Sequence, residues 1–201
     1  MEGLDLNVSR ETLERLQSFE VLVKKWTRKI NLVSRQDVDN IWDRHILDSA
    51  QIFSLAPSTA KWVDIGSGGG FPGIVVSILS AEYAPAQETV LIESDQRKCA
   101  FLRTAFRELS LNGRVICDRI ENVQPQNADV VSARALADLS QLLTHAERHL
   151  TPSGHGIFLK GKNWAMEHQI AQQQWSYVCE AITSKSDPAA AVLKIKELKR
   201  V

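Results

Sequence analysis

Apolar residues recur along the first part of the chain at spacings of three and four. Leu13, Leu16, Phe19, Val23, Trp26 and Ile30 follow Ser9, a residue type that caps helix N-termini, so an amphipathic helix is expected from there. Asn31 to Ser34 reads as a turn. Asp37 or Asp39 can then cap a second helix that turns Ile41, Trp42, Ile46, Ser49 and Phe53 inward. From Lys61 onward the period changes. Apolar runs at Trp62–Ile65, Thr89–Ile92, Arg114–Cys117, Asp129–Ser132 and Gly156–Gly161 alternate with helical patterns, as parallel strands joined by helices do. Asp95 can cap a helix with Cys99, Leu102, Phe106 and Leu109 on one face. Leu139, Leu142, Leu143 and Ala146 mark the next helix, and a polar one reaches Gln174. Trp175–Thr183 and Ala191–Leu198, joined through Ser186-Asp187-Pro188, predict a closing hairpin. This order is an α/β, doubly wound, Rossmann-like sheet with one antiparallel edge strand. A helical cap over 1–58, closing at Ala56-Pro57-Ser58, precedes the sheet domain at 59–201, and the two are expected to form one compact unit.

The segment from Lys61 to Gly73 carries the candidate chemistry. Trp62-Val63-Asp64-Ile65 is stopped by Gly66, Gly68, Gly69 and Gly70, and Pro72 opens a further apolar run. Glycines so dense are costly in chain entropy unless the backbone needs positive φ or a ligand must approach it. Strand, glycine loop and helix form a nucleotide-binding unit. Gly68, Gly70 and Gly73 satisfy G-x-G-x-x-G, and the absence of Gly-Lys-Ser/Thr excludes a P-loop. Glu93 ends the second strand, where an acid can hold ribose hydroxyls of either a nicotinamide dinucleotide or S-adenosylmethionine. Asp64 would repel a pyrophosphate and favour a sulfonium and an ammonium, so the two acids together favour S-adenosylmethionine.

Composition narrows the class. The chain has 201 residues, a hydrophobic fraction of 44% and no apolar run of the ~20 residues a membrane helix needs. Its N-terminus, Met1-Glu2-Gly3-Leu4-Asp5, lacks the apolar stretch of a signal peptide. Cys99, Cys117 and Cys179 are widely spaced and suit reduced thiols of a cytoplasmic protein. Lys+Arg and Asp+Glu balance at 24 each, which counts against generic nucleic-acid binding. Between Val21 and Arg35, however, Lys24, Lys25, Arg28, Lys29 and Arg35 face no carboxylate. That cluster, with Trp26 inside it, is either a solvated face or a phosphate-facing patch.

Ligands of doubly wound sheets lie beyond the carboxyl ends of the strands. That rule gathers Gly66 to Phe71, Glu93, Ile120, Glu121, Arg134 and Lys160 at one rim. After the fourth strand comes Ser132-Ala133-Arg134-Ala135, without the Pro-Pro-aromatic segment suited to gripping an exocyclic amine. No Pro-Cys or Thr-Cys nucleophile follows, and no His/Cys/Asp cluster has metal-ligand spacing. Arg134 and Lys160, with Arg44 and His45 on the cap, are poor general bases. They suit an acceptor with a free lone pair, such as guanine N7, or an ion pair with no role in chemistry. A small-molecule or protein acceptor stays open, as does a nucleotide-binding module without catalysis.

Asn31-Leu32-Val33-Ser34, Arg44-His45-Ile46-Leu47-Asp48-Ser49, Asp64-Ile65-Gly66-Ser67-Gly68-Gly69-Gly70-Phe71-Pro72-Gly73, Ser132-Ala133-Arg134-Ala135 and Leu159-Lys160-Gly161 occur in one order. Together they resemble the RsmG (GidB) family of bacterial small-subunit rRNA methyltransferases over nearly the whole chain. The resemblance implies a class I methyltransferase fold with an N-terminal helical extension. It implies methyl transfer from S-adenosylmethionine to N7 of a guanine in the 530 loop of 16S rRNA, in the small subunit or an assembly intermediate. Carried over by position, Gly66, Phe71, Ile120, Glu121 and Arg134 would bind the cofactor, alongside Asp64, Gly68 and Glu93. Lys24, Lys25, Arg28, Lys29, Arg44 and Lys160 are the expected RNA contacts, and His45, Arg134 and Lys160 the positioning candidates. A cytoplasmic monomer is expected.

Overall fold

A computed structural model of the chain describes residues 7–56 and 59–201. Five parallel strands, β1 (Lys61–Ile65), β2 (Glu88–Glu93), β3 (Gly113–Cys117), β4 (Ala128–Arg134) and β5 (Leu150–Lys160), form most of one sheet. With β6 (Trp175–Thr183) and β7 (Ala191–Arg200) the order is β3-β2-β1-β4-β5-β7-β6. The expected antiparallel edge strand is thus misplaced by one. The antiparallel strand is β7, which lies between β5 and β6 and pairs antiparallel with both. Burial explains the choice: Ala191 to Leu193 and Ile195 are buried, whereas most of β6 alternates. A continuous apolar run suits an interior strand.

Period-two alternation assigns each strand residue to a layer. Trp62, Leu91, Val130, Ile157 and Val192 face one core, with α1 (Arg10–Thr27), the segment 33–56, α3 (Gly73–Tyr83) and α4 (Gln96–Glu108). Val63, Ile65, Val90, Ile92, Val131, Phe158 and Leu193 face the other, with α5 (Leu139–His149) and Ala171 of α6 (Trp164–Ala171). Ser9 caps α1 as expected, its Oγ accepting from the Thr12 N–H at 3.2 Å. The Ser9 amide and hydroxyl also donate to the Glu82 carboxylate at 3.0–3.1 Å, tying the start of α1 to the end of α3. Phe19 ties α1 to the glycine loop and α4 within one core: its ring lies 5.1 Å from Phe71 and 6.4 Å from Phe101. The helical residues before the sheet share one continuous core with α3, α4 and that face of the sheet.

The N-terminal part departs from the expectation in three respects. Helix α1 ends at Thr27, so Ile30 packs from the following turn. The second helix is broken into a 3-10 turn at Val38–Asn40, a π-helical stretch at Trp42–Leu47, a single α turn α2 (Asp48–Ala50) and another 3-10 turn at Phe53–Leu55. Ile41, Ile46, Ser49 and Phe53 are still buried, but neither Asp37 nor Asp39 caps it. The Asp37 carboxylate instead accepts from the Ser34 hydroxyl at 2.6 Å. Trp26 is not a surface aromatic, since its ring packs edge-on against Phe101 at 5.6 Å. The Met1–Asp5 reading and the Pro57-Ser58 boundary lie outside the described residues. Among the described residues no helix is long and apolar enough to cross a membrane.

Phe19→Ala should cost about 3–5 kcal/mol in urea unfolding, because it empties a fully buried aromatic site linking α1 to the loop and α4. A loss below about 1 kcal/mol would mean that α1 is not part of the core.

Candidate active site

The glycine loop connects β1 to α3 and its shape needs glycine. Gly66, Gly68 and Gly70 have φ of +64°, +53° and +84°, a region that side chains rarely adopt. The Gly66 and Ser67 amides donate to the Ile92 carbonyl at 2.9 and 3.2 Å, pinning the loop to the end of β2. A Cβ on Gly68 would meet nothing nearer than the Gly66 carbonyl at 3.8 Å, so its outer face is open. It opens into a cleft of about 470 Å³ lined by the loop, Phe71, Glu93, Asp118 to Glu121, Arg134 and His145.

Glu93 is almost fully buried and rigidly held. One oxygen accepts from the Gly68 amide at 2.8 Å, and the other from the Ser94 and Asp95 amides at 2.8 Å each. An ionised carboxylate has further lone pairs for a ligand hydroxyl. Ile120 is buried at the opposite wall, in a 3-10 turn whose carbonyl lies 3.3 Å from His149 Nε2. Burial lowers the His149 pKa, so the neutral ring can donate that proton to the carbonyl. Glu121 is exposed, 3.8 Å from His145 Nε2.

A second cavity of about 550 Å³ adjoins the first. Leu32, Arg134 and Ala135 line both, which makes the Arg134 side chain part of the wall between them. Its guanidinium lies 5.0 Å from the centre of the Phe71 ring and 3.6 Å from Asp48 Oδ2, and donates to the Arg44 carbonyl at 3.4 Å. His45 stacks on Phe71 at 5.1 Å. Burial, with the Arg134 charge second, lowers its pKa to about 4, so the ring is neutral near pH 7. Neither ring nitrogen has a hydrogen-bond partner, the Asp37 carboxylate being 3.8 Å away.

Three expected contacts are placed differently. Asp64 does not line the cleft. It is fully buried beneath the loop, where Oδ1 accepts from Ser132 Oγ at 2.7 Å, and that hydroxyl accepts from Trp62 Nε1 at 2.9 Å. The helix crosses so close that a Cβ on Gly73 would fall 2.8 Å from Asp64 Oδ2. Lys160 borders the second cavity, but it is paired with Glu167 at 2.6 Å and donates to the Ala137 carbonyl at 2.7 Å. Lys160 thus forms an ion pair, one of the two readings of this position, while still lining the second cavity. Arg44 keeps an exposed side chain at the cavity edge and lends its carbonyl to Arg134. The remaining cofactor candidates, Gly66, Gly68, Phe71, Glu93, Ile120, Glu121 and Arg134, all meet in the cleft. Reading the sequence missed Asp48, Ser184, Ser186 and His145, which line these cavities.

A family model described as "rRNA small subunit methyltransferase G" (GidB) matches residues 12–190. A curated relative, ribosomal RNA small subunit methyltransferase G of Ruegeria sp. (strain TM1040), is 54% identical over 199 residues, 99% of this chain and 97% of its own. The chain belongs to the rRNA small subunit methyltransferase G family. Solved structures add the fold at low identity. M. jannaschii TYW2 in complex with AdoMet aligns with a TM-score of 0.55 at 15% identity, covering 98% of this chain and 80% of that one. An O-methyltransferase from Bacillus cereus in complex with SAH gives 0.59 at 12%, covering 96% and 93%. This chain's fold is therefore a class I methyltransferase sheet, with helices on both faces and the helical residues that precede β1 packed on the face of α3 and α4.

Burial raises the Asp64 pKa from 3.8 to about 6. The folded state thus favours the protonated carboxyl. Its contribution is fully present below about pH 4 and is lost as pH rises through about 6. Asp64→Asn, which keeps an acceptor for Ser132, should gain about 2–3 kcal/mol on wild type between pH 4 and pH 7 in urea unfolding. A pH-independent difference would show that Asp64 is not held as described.

Proposed function

We propose that this protein transfers a methyl group from S-adenosylmethionine to N7 of a guanine in the 530 loop of 16S rRNA. The observation that carries the reading is the pair of adjoining cavities with Arg134 in their common wall, in a chain of this family. When bound, the cofactor supplies a methyl group activated by a sulfonium. The chain's own residues position the partners. The open face of Gly68 lets a ligand lie against the loop, Glu93 offers acceptors to ribose hydroxyls, and Ile120 gives an adenine ring an apolar wall. The loop is ill suited to a pyrophosphate, because the Gly68 amide already donates to a carboxylate and the start of α3 sits over Asp64. Guanine N7 needs no proton removed, which fits a site where His45 is neutral and the nearby cations are paired. Catalysis is then alignment of N7 with the methyl group.

RNA reaches the site along the end of α1. Lys25, Arg28 and Lys29 are exposed and make no ion pair among the described residues, whereas Lys24 is paired with Glu20 at 2.7 Å. The basic run leads into Leu32 to Ser34, which line the cavity mouth. We place the enzyme in the cytoplasm as a monomer acting on the small subunit or its assembly intermediate.

Labelled methyl transfer to small-subunit particles and to their stripped RNA, followed by nucleoside analysis, tests the reading. One labelled 7-methylguanosine is expected. Label in neither, with S-adenosylmethionine still bound, would move the acceptor to a small molecule or protein. Gly68→Val should abolish cofactor binding by titration calorimetry, since its side chain enters the open face of the cleft; retained binding would place the cofactor elsewhere. Reversing the charges of Lys25, Arg28 and Lys29 should lower the log–log salt slope of RNA affinity by about 2–3 and spare cofactor affinity. An unchanged slope would make the patch a solvated face.

A further inference from the structure

Resting on the methyl-transfer reading, we propose that the larger cavity holds the acceptor guanine and that Asp48 and Arg134 read its N1–H and O6, leaving N7 toward the cofactor cleft. At about 550 Å³ the cavity lies within the roughly 300–1,000 Å³ of small-ligand sites. Asp48 is held for recognition. Its Oδ1 accepts from Ser186 Oγ at 2.7 Å, Gln51 Nε2 at 2.8 Å and Ser184 Oγ at 3.0 Å. These donors come from both ends of the chain and fix the carboxylate plane. Oδ2 lies 3.6 Å from Arg134, beyond hydrogen-bond distance, and among the described residues no hydrogen bond to it is found, so it keeps acceptor capacity.

Acceptor and donor thus stand side by side, the donor next to the cofactor cleft. Along the rim of guanine, N1–H, O6 and N7 follow in that order. With N1–H at Asp48 and O6 at Arg134, the next atom, N7, faces the side of Arg134 that borders the cleft. Adenine reverses the pattern. Its N1 lone pair would meet the carboxylate and its amino group the guanidinium, leaving buried polar groups unpaired. In the transfer, the N7 lone pair forms the new N–CH3 bond while the S–CH3 pair returns to sulfur, and no proton moves. Positive charge passes to the purine, so the hydrogen bond from N1–H to Asp48 strengthens in the transition state.

Two arms test this. Asp48→Asn should slow transfer to small-subunit RNA by about 10–100-fold with S-adenosylmethionine affinity unchanged. Full activity, or loss of cofactor binding along with activity, would overturn the proposal. The second arm uses the wild-type protein and RNA carrying base analogues at the labelled guanine. Inosine, which keeps O6, N1–H and N7, should accept the methyl group. 2-Aminopurine, which keeps N7 but lacks O6 and N1–H, should not, and its methylation at the guanine rate would overturn the proposal. If wild type labels no natural RNA, it is the methyl-transfer reading that has failed, and this inference falls with it.

Discussion

The site depends on a guanidinium held in a wall between two cavities. Arg134 leaves the end of β4 and meets the Phe71 ring, the Asp48 carboxylate and the Arg44 carbonyl. A half-buried cation still loses hydration and is stabilised by being paired and hydrogen-bonded. Those partners come from the glycine loop and from the broken helical segment before the sheet. Burial favours a neutral group and lowers the Arg134 pKa, while Asp48, Asp64 and Asp37 oppose that shift. The same charge helps to keep His45 neutral. These contacts bring the segment before the sheet, the glycine loop and the end of β4 together at one side chain.

Beneath that wall lies a second polar network of a different kind. Trp62, Ser132 and Asp64 form a hydrogen-bonded chain on adjacent strands, with Asp64 and Ser132 directly paired in register. It faces α3, and none of the three side chains lines the cleft. Its role is to hold the strand ends from which the glycine loop and Arg134 depart. Glu93, at the end of the neighbouring strand and bonded to the Gly68 amide, is the acid that lines the cleft.

Much of this was legible because it is local. The β1–loop–α3 unit, the caps at Ser9 and Asp95 and the alternating faces follow from short-range patterns. What escaped depends on distance or on a face. Asp64 sits beside the glycines in sequence, but period two puts it with Trp62, toward the core. A hairpin motif does not say which of its strands pairs with β5; the unbroken apolar run from Ala191 to Leu193 was the available signal. Asp48 and Ser184 are 136 residues apart, and no local pattern could have joined them. Ile41, Ile46, Ser49 and Phe53 face inward as read, while Trp42 is only half-buried, and the helix type along 38–55 changes from turn to turn.

The most direct test is the structure of the protein bound to S-adenosylhomocysteine. The ligand should lie across Gly68, with its ribose hydroxyls on Glu93, its adenine against Ile120 and its sulfur at the Arg134 end, facing the larger cavity. An adenine at Arg134, or a ligand seated in the larger cavity itself, would contradict the division of the site into cofactor cleft and acceptor cavity.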